Sequence, residues 1–94
     1  GLIEKQRSIT GAVTLDNVNE FLEVTPAAPF TITLPASPTD GTFKHFVDIT
    51  GVVQTHNVTL DGNGKNLNGS PTYVMDAQYE SPKWRYNGTQ WNLV

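Results

Sequence analysis

Two histidines, a handful of carboxylates and one glycine-rich loop are the residues of this chain whose types could do chemistry. His45 and His56 stand apart, and the chain has no cysteine at all. That excludes a thiolate metal site, a disulfide and a cysteine nucleophile. His45 falls in an alternating stretch on the same face as Phe43 and Val47, which reads as a satisfied core or interface histidine before a general base. No serine sits in a nucleophile elbow of the G-x-S-x-G kind. Asp48, Asp61, Asp76 and Glu80 are available for glycoside chemistry, but their spacing singles out no pair. In "DGNGKNLNG", Asp61 and Asn63 have the spacing of calcium-loop ligands. An EF-hand needs an oxygen ligand at the fifth position and Glu at the twelfth, where this chain has Lys65 and Thr72. The repeated signature of calcium-binding β-rolls is also missing. "GNGK" is followed by Asn66, so it makes no phosphate loop. The expectation is a loop of positive-φ turn residues, no enzyme, no metal and no cofactor.

The remaining chemistry is aromatic. In "WRYNGTQWNLV" the step Asn87-Gly88 predicts a two-residue type I′ hairpin turn. That register sets Tyr86 opposite Thr89 and Trp84 opposite Trp91. Trp84, Tyr86, Thr89, Trp91 and Leu93 then share one face, with Lys83, Arg85, Gln90 and Asn92 on the other. Trp84, Tyr86 and Trp91 are the candidate ligand contacts, as a stacking platform for sugar rings. The competing reading is that they pack as core. Burying one large side chain gives about 1.5–3 kcal/mol, against roughly 0.2–1 kcal/mol for a cross-strand pair. Burial is the larger effect, so packing is favoured.

These residues must be positioned by a short chain. Its 94 residues suit one small domain, and 6 basic against 9 acidic residues give a formal charge of −3. A mildly acidic chain with no basic cluster is poorly suited to nucleic acid or an anionic membrane. No apolar run is long enough to span a bilayer, and "GLIEKQRSIT" has no apolar stretch of the signal-peptide kind. The first residue is not Met, which leaves a processed form and an excised fragment both open. Without disulfides or metal, so small a core favours stabilisation by oligomerisation.

Alternation dominates the chain, and helix signals are nearly absent. "DNVNEFLEV" reads as a turn followed by the strand "EFLEVT". "SITGAVTL" sets Ile9, Val13 and Leu15 to one side, with Gly11 as a bulge or bend. "PFTITLP" alternates Phe30, Ile32 and Leu34 with Thr31 and Thr33, and Asp40-Gly41 makes a tight step after it. "TFKHFVDITG" sends Phe43, His45, Val47 and Ile49 one way, and Lys44, Phe46, Asp48 and Thr50 the other. "NVTL", "TYVMD" and the closing hairpin complete about eight short strands. The expected fold is all-β, a small antiparallel module.

The ordered segments "FTITLPASPTDGTFKHFVDITG", "HNVTLDGNGKNLNGS" and "YNGTQWNLV" resemble a β module of bacteriophage tail fibres and other virion appendages. The matching positions are Leu34 to Pro38, Asp40, Gly41, Val47, Asp48, Gly51, Asn57 to Gly64, Tyr86, Gly88 and Trp91. The resemblance covers residues 25–94 and leaves 1–24 as an N-terminal strand or extension of unassigned role. It implies a non-enzymatic virion component, an intertwined homotrimer whose partners are its own copies and other virion proteins. A host-surface glycan is a further partner if the module lies at a receptor-binding tip. Nucleic acid and membrane insertion are not expected. Two alternatives stay open: a capsid decoration protein, and a carbohydrate-binding module cut from a larger protein.

Overall fold

The computed structural model describes residues 5–94. The described chain is all-β, with nine strands: β1 (Lys5–Ile9), β2 (Val13–Thr14), β3 (Glu20–Val24), β4 (Phe30–Thr33), β5 (Phe43–Asp48), β6 (Val58–Asp61), β7 (Thr72–Met75), β8 (Lys83–Tyr86) and β9 (Trp91–Leu93). The ninth strand arises because "SITGAVTL" breaks at its glycine. β1 and β2 lie on either side of Gly11 and belong to different sheets. Among the described residues no helix is long and apolar enough to cross a membrane.

The first sheet has the order β1-β3-β5-β8-β9 and the second β2-β4-β6-β7. Up to β6, consecutive strands therefore alternate between sheets. This corrects the antiparallel expectation: β1–β3, β3–β5, β2–β4 and β4–β6 are all parallel. Only the last part of the chain is antiparallel, in β5–β8, β6–β7 and β8–β9. The physical reason is the connection. Two parallel strands need a crossover between them, and here a strand of the opposite sheet is that crossover. Short linkers between strands look like hairpins in sequence, but in the structure they turn corners between layers. Residues 5–24 supply β1 to β3, and β3 is flanked by β1 and β5. Residues 1–4 of the segment read as an N-terminal extension lie outside the described residues.

The sheets share one apolar core. Ile9, Leu22, Val24, Phe46, Trp84, Tyr86 and Trp91 from the first sheet meet Ile32, Val58, Leu60 and Met75 from the second. The Tyr73 and Trp84 rings touch edge-on across the layers, with centroids 5.0 Å apart. Alternation in β5 holds, but its inward face is Lys44, Phe46 and Asp48, all buried. The face carrying Phe43, His45 and Val47 is the outer, half-exposed one. Apolar content alone would have placed these the other way round. Two charges are tolerated inside because each is fully bonded, as described next.

Candidate functional site

The closing hairpin places Trp84, Tyr86 and Trp91 in the core, with relative exposures of 0%, 4% and 0%. Rings without exposed surface offer no face to a sugar, so the structure gives these three candidate ligand contacts a packing position. The predicted register is displaced. Tyr86 pairs with Trp91, Arg85 with Asn92, and Trp84 with Leu93. The shift is even, so the faces are kept, although Leu93 lies far enough out to be exposed. Its cause is the Asn87 side chain, whose Oδ1 accepts Thr89 N–H at 3.0 Å and Gln90 N–H at 2.9 Å. Only Gly88 has positive φ there, whereas a type I′ turn needs it at both central residues. That requirement is met instead at Asn63-Gly64 and Asn68-Gly69, where all four φ values are positive. Among the described residues neither indole N–H, of Trp84 or of Trp91, finds a hydrogen-bond acceptor.

Asp48 is the polar centre of the fold. Its Oδ1 accepts Gly51 N–H at 2.9 Å and Val52 N–H at 3.4 Å. Its Oδ2 accepts Val53 N–H at 3.3 Å and Tyr79 N–H at 3.1 Å. Burial alone would raise the carboxyl's pKa, but these backbone donors outweigh it and hold it below the ordinary value. Gly51 is required at its position: it has φ +72°, and an added Cβ would lie 2.5 Å from the Tyr79 ring.

Two of the other candidate carboxylates, Asp61 and Glu80, are also occupied. Asp61 Oδ1 accepts Asn63 N–H at 2.8 Å, closing the turn that resembled a calcium loop. Asn63 Nδ2 donates to Leu34 O at 3.2 Å and ties that turn to the end of β4. Glu80 accepts the Tyr73 hydroxyl and the N–H groups of Asp76 and Ala77. Burial first, and then the Glu80 bond, push the Tyr73 phenol up to about 12. Asp76 stays exposed. Among the described residues no group of three or more His, Cys, Asp or Glu is placed to hold a metal ion. His45 Nε2 lies 2.9 Å from Ser81 Oγ and its ring meets Phe21 edge-on, on the outer face of the first sheet. Among the described residues no carboxylate hydrogen-bonds to the imidazole to orient it, as the third member of a nucleophilic triad would. His56 is half-buried at a loop, its N–H donating to Val52 O.

Sequence reading missed a buried ionic cluster. Lys44 and Glu20 are fully buried. Lys44 Nζ donates to Asp16 O at 2.7 Å, to Val18 O at 2.6 Å and to Glu20 Oε1. Burial drives the Lys44 pKa below its ordinary value, and the Glu20 contact offsets this only in part. Arg7 approaches from β1, its Nε 3.0 Å from Glu20 Oε2. The signal in the sequence was Lys44 standing in phase with Phe46, which period-two alternation puts on one face. Above this cluster an open groove of about 400 Å³ is lined by Asn17 to Asn19 and Thr39 to Thr42. Asn17 bridges it, donating to Thr39 Oγ1 at 2.8 Å and accepting Thr39 N–H at 3.0 Å.

No protein-family model and no curated protein matches this chain.

Proposed function

We propose that this chain is a structural component of a bacteriophage virion appendage, a tail or head fibre, assembled as a homotrimer and contributing to host attachment. One observation carries the reading. The segments that resemble the phage module fall on the fixed points of the fold: the Asp48–Gly51 anchor, the Asn63-Gly64 turn tied to Leu34, and the buried Tyr86–Trp91 pair. Their residues set loop geometry and packing. That suits a mechanical or presenting module better than a catalyst. The outer face of the first sheet, with half-exposed Phe21, Phe43 and Val47, supplies surface for contact between copies. Lys83 Nζ, 4.9 Å from the Phe43 ring centroid, edges that patch.

A capsid decoration protein is the second virion reading. Burial of Trp84, Tyr86 and Trp91 weighs against a carbohydrate-binding module that would rest on those rings. The decisive experiment is solution mass by light scattering together with labelling of purified virions by a specific antibody. A trimer with label on tail or head fibres supports the proposal. Label spread over the capsid shell assigns decoration instead, and a stable monomer at micromolar concentration overturns both virion readings.

A further inference from the structure

The two sheets end differently at their two sides. Beside β9 a loop closes the edge: Trp91 N–H donates to Asn66 O at 2.8 Å and Asn68 N–H donates to Trp91 O at 2.9 Å. Leu93 N–H donates to Asn68 Oδ1 at 3.1 Å. At the other side β1 and β2 are both terminal, each paired to one parallel neighbour. Thr25 N–H donates to Ile9 O at 3.0 Å, so Ile9 turns its peptide groups to β3. In a parallel ladder alternate residues bond to opposite sides, which turns the N–H and C=O of Gln6 and Ser8 outwards. Leu15 N–H donates to Thr33 O at 2.8 Å and leaves Thr14 outward on β2 in the same way. Among the described residues these backbone groups have no strand partner, and such a row is a template for one more strand.

A charge imbalance lies behind that edge. Arg7, Lys44 and Glu20 bring two cations to one carboxylate. Arg7 Nε is engaged by Glu20 Oε2 at 3.0 Å, while the buried Nη2 has no hydrogen-bond acceptor among the described residues. A guanidinium fork matches a carboxylate in geometry and charge. A groove of about 310 Å³ runs along the same stretch, lined by Arg7 to Val13.

We propose that the β1 edge is a docking site for an extended segment of another polypeptide, which adds as a further strand of the first sheet and sets a carboxylate side chain against Arg7. This rests on the edge and the charge, not on the virion reading. A second copy is a poor occupant. β1 itself carries no carboxylate to set against Arg7. The β9 edge is covered, and β7 carries no carboxylate.

The β3 sequence already lies beside β1 with a carboxylate near Arg7, so it supplies the probe. A blocked peptide with the sequence of residues 18–26, VNEFLEVTP, is titrated into the isotope-labelled full chain and followed by amide NMR. Saturable shifts at Gln6 and Ser8 are expected. Arg7→Ala, or a peptide with both Glu replaced by Gln, should weaken binding about tenfold. Ser8→Pro removes an outward N–H, which an edge strand tolerates, and should abolish docking while the β5 and β8 resonances stay in place. Absence of shifts at millimolar peptide, shifts centred on another edge, or equal binding of the Gln peptide each overturn the proposal. Self-association that depends on Ser8 without peptide assigns the edge to a second copy and overturns it as well.

Discussion

The Asp48 carboxylate accepts the Tyr79 N–H at 3.1 Å across a separation of 31 residues, and so joins the loop after β5 to the loop before β8. The same carboxylate gathers Gly51, Val52 and Val53. One side chain thereby sets the path by which the chain leaves the first sheet and the path by which it returns.

Asp48→Asn should cost about 3 kcal/mol in urea unfolding, because an amide cannot accept at both ends and leaves buried N–H groups unpaired. The pH dependence follows from the depressed pKa. The folded state binds this proton less readily than the unfolded chain, so the stabilisation is present above the ordinary carboxylate value of 3.8 and is lost as pH falls through the folded value. Stability measured from pH 5 downward should fall more steeply in the parent protein than in Asp48→Asn. Parallel curves would count against the assignment.

Gly51→Ala tests the other half of that anchor. The left-handed φ costs about 1–2 kcal/mol for any residue with a Cβ, and contact with the Tyr79 ring adds to it. Pairing it with Tyr79→Ala should recover only the contact part. A double mutant as unstable as Gly51→Ala alone would show that Tyr79 plays no part.

The buried pair gives a third prediction. Glu20→Ala leaves the buried Lys44 with two backbone carbonyls but without its counter-charge, and should cost about 3–5 kcal/mol. Glu20→Leu combined with Lys44→Met should cost much less than the two single changes added, since each single change leaves a charge uncompensated. Thermal melts of the four proteins provide the cycle, and strict additivity would refute the coupling.

Trp91→Ala should cost about 3–5 kcal/mol, as expected for a fully buried large aromatic. Trp91→Phe should cost clearly less, because the indole N–H has no hydrogen bond to lose. Melting and glycan-array binding on the same samples separate packing from recognition. A Trp91→Ala protein that melts normally but loses glycan binding would overturn the core assignment.

The sequence by itself determined the strands. Period-two alternation marked β3 to β6, and the breakers marked their ends. The three aromatic rings Trp84, Tyr86 and Trp91 were placed together on one face, whereas Thr89 lies outside the strands and Leu93 is exposed. These are local properties, set by backbone geometry and side-chain period. Asn-Gly steps announced turns, but not which of them take positive φ at both residues: Asn87 spends its side chain on Thr89 and Gln90 instead. Only the tertiary structure decided that consecutive strands belong to opposite sheets, because a corner between layers and a hairpin within one need similar residues. It also decided which face of β5 is buried. Lys44 and Asp48 can lie inside only where carbonyls from Asp16 and Val18, the Glu20 carboxylate and the N–H groups of distant loops converge on them. That convergence is a property of the folded arrangement, since the partners lie tens of residues apart and no local pattern links them.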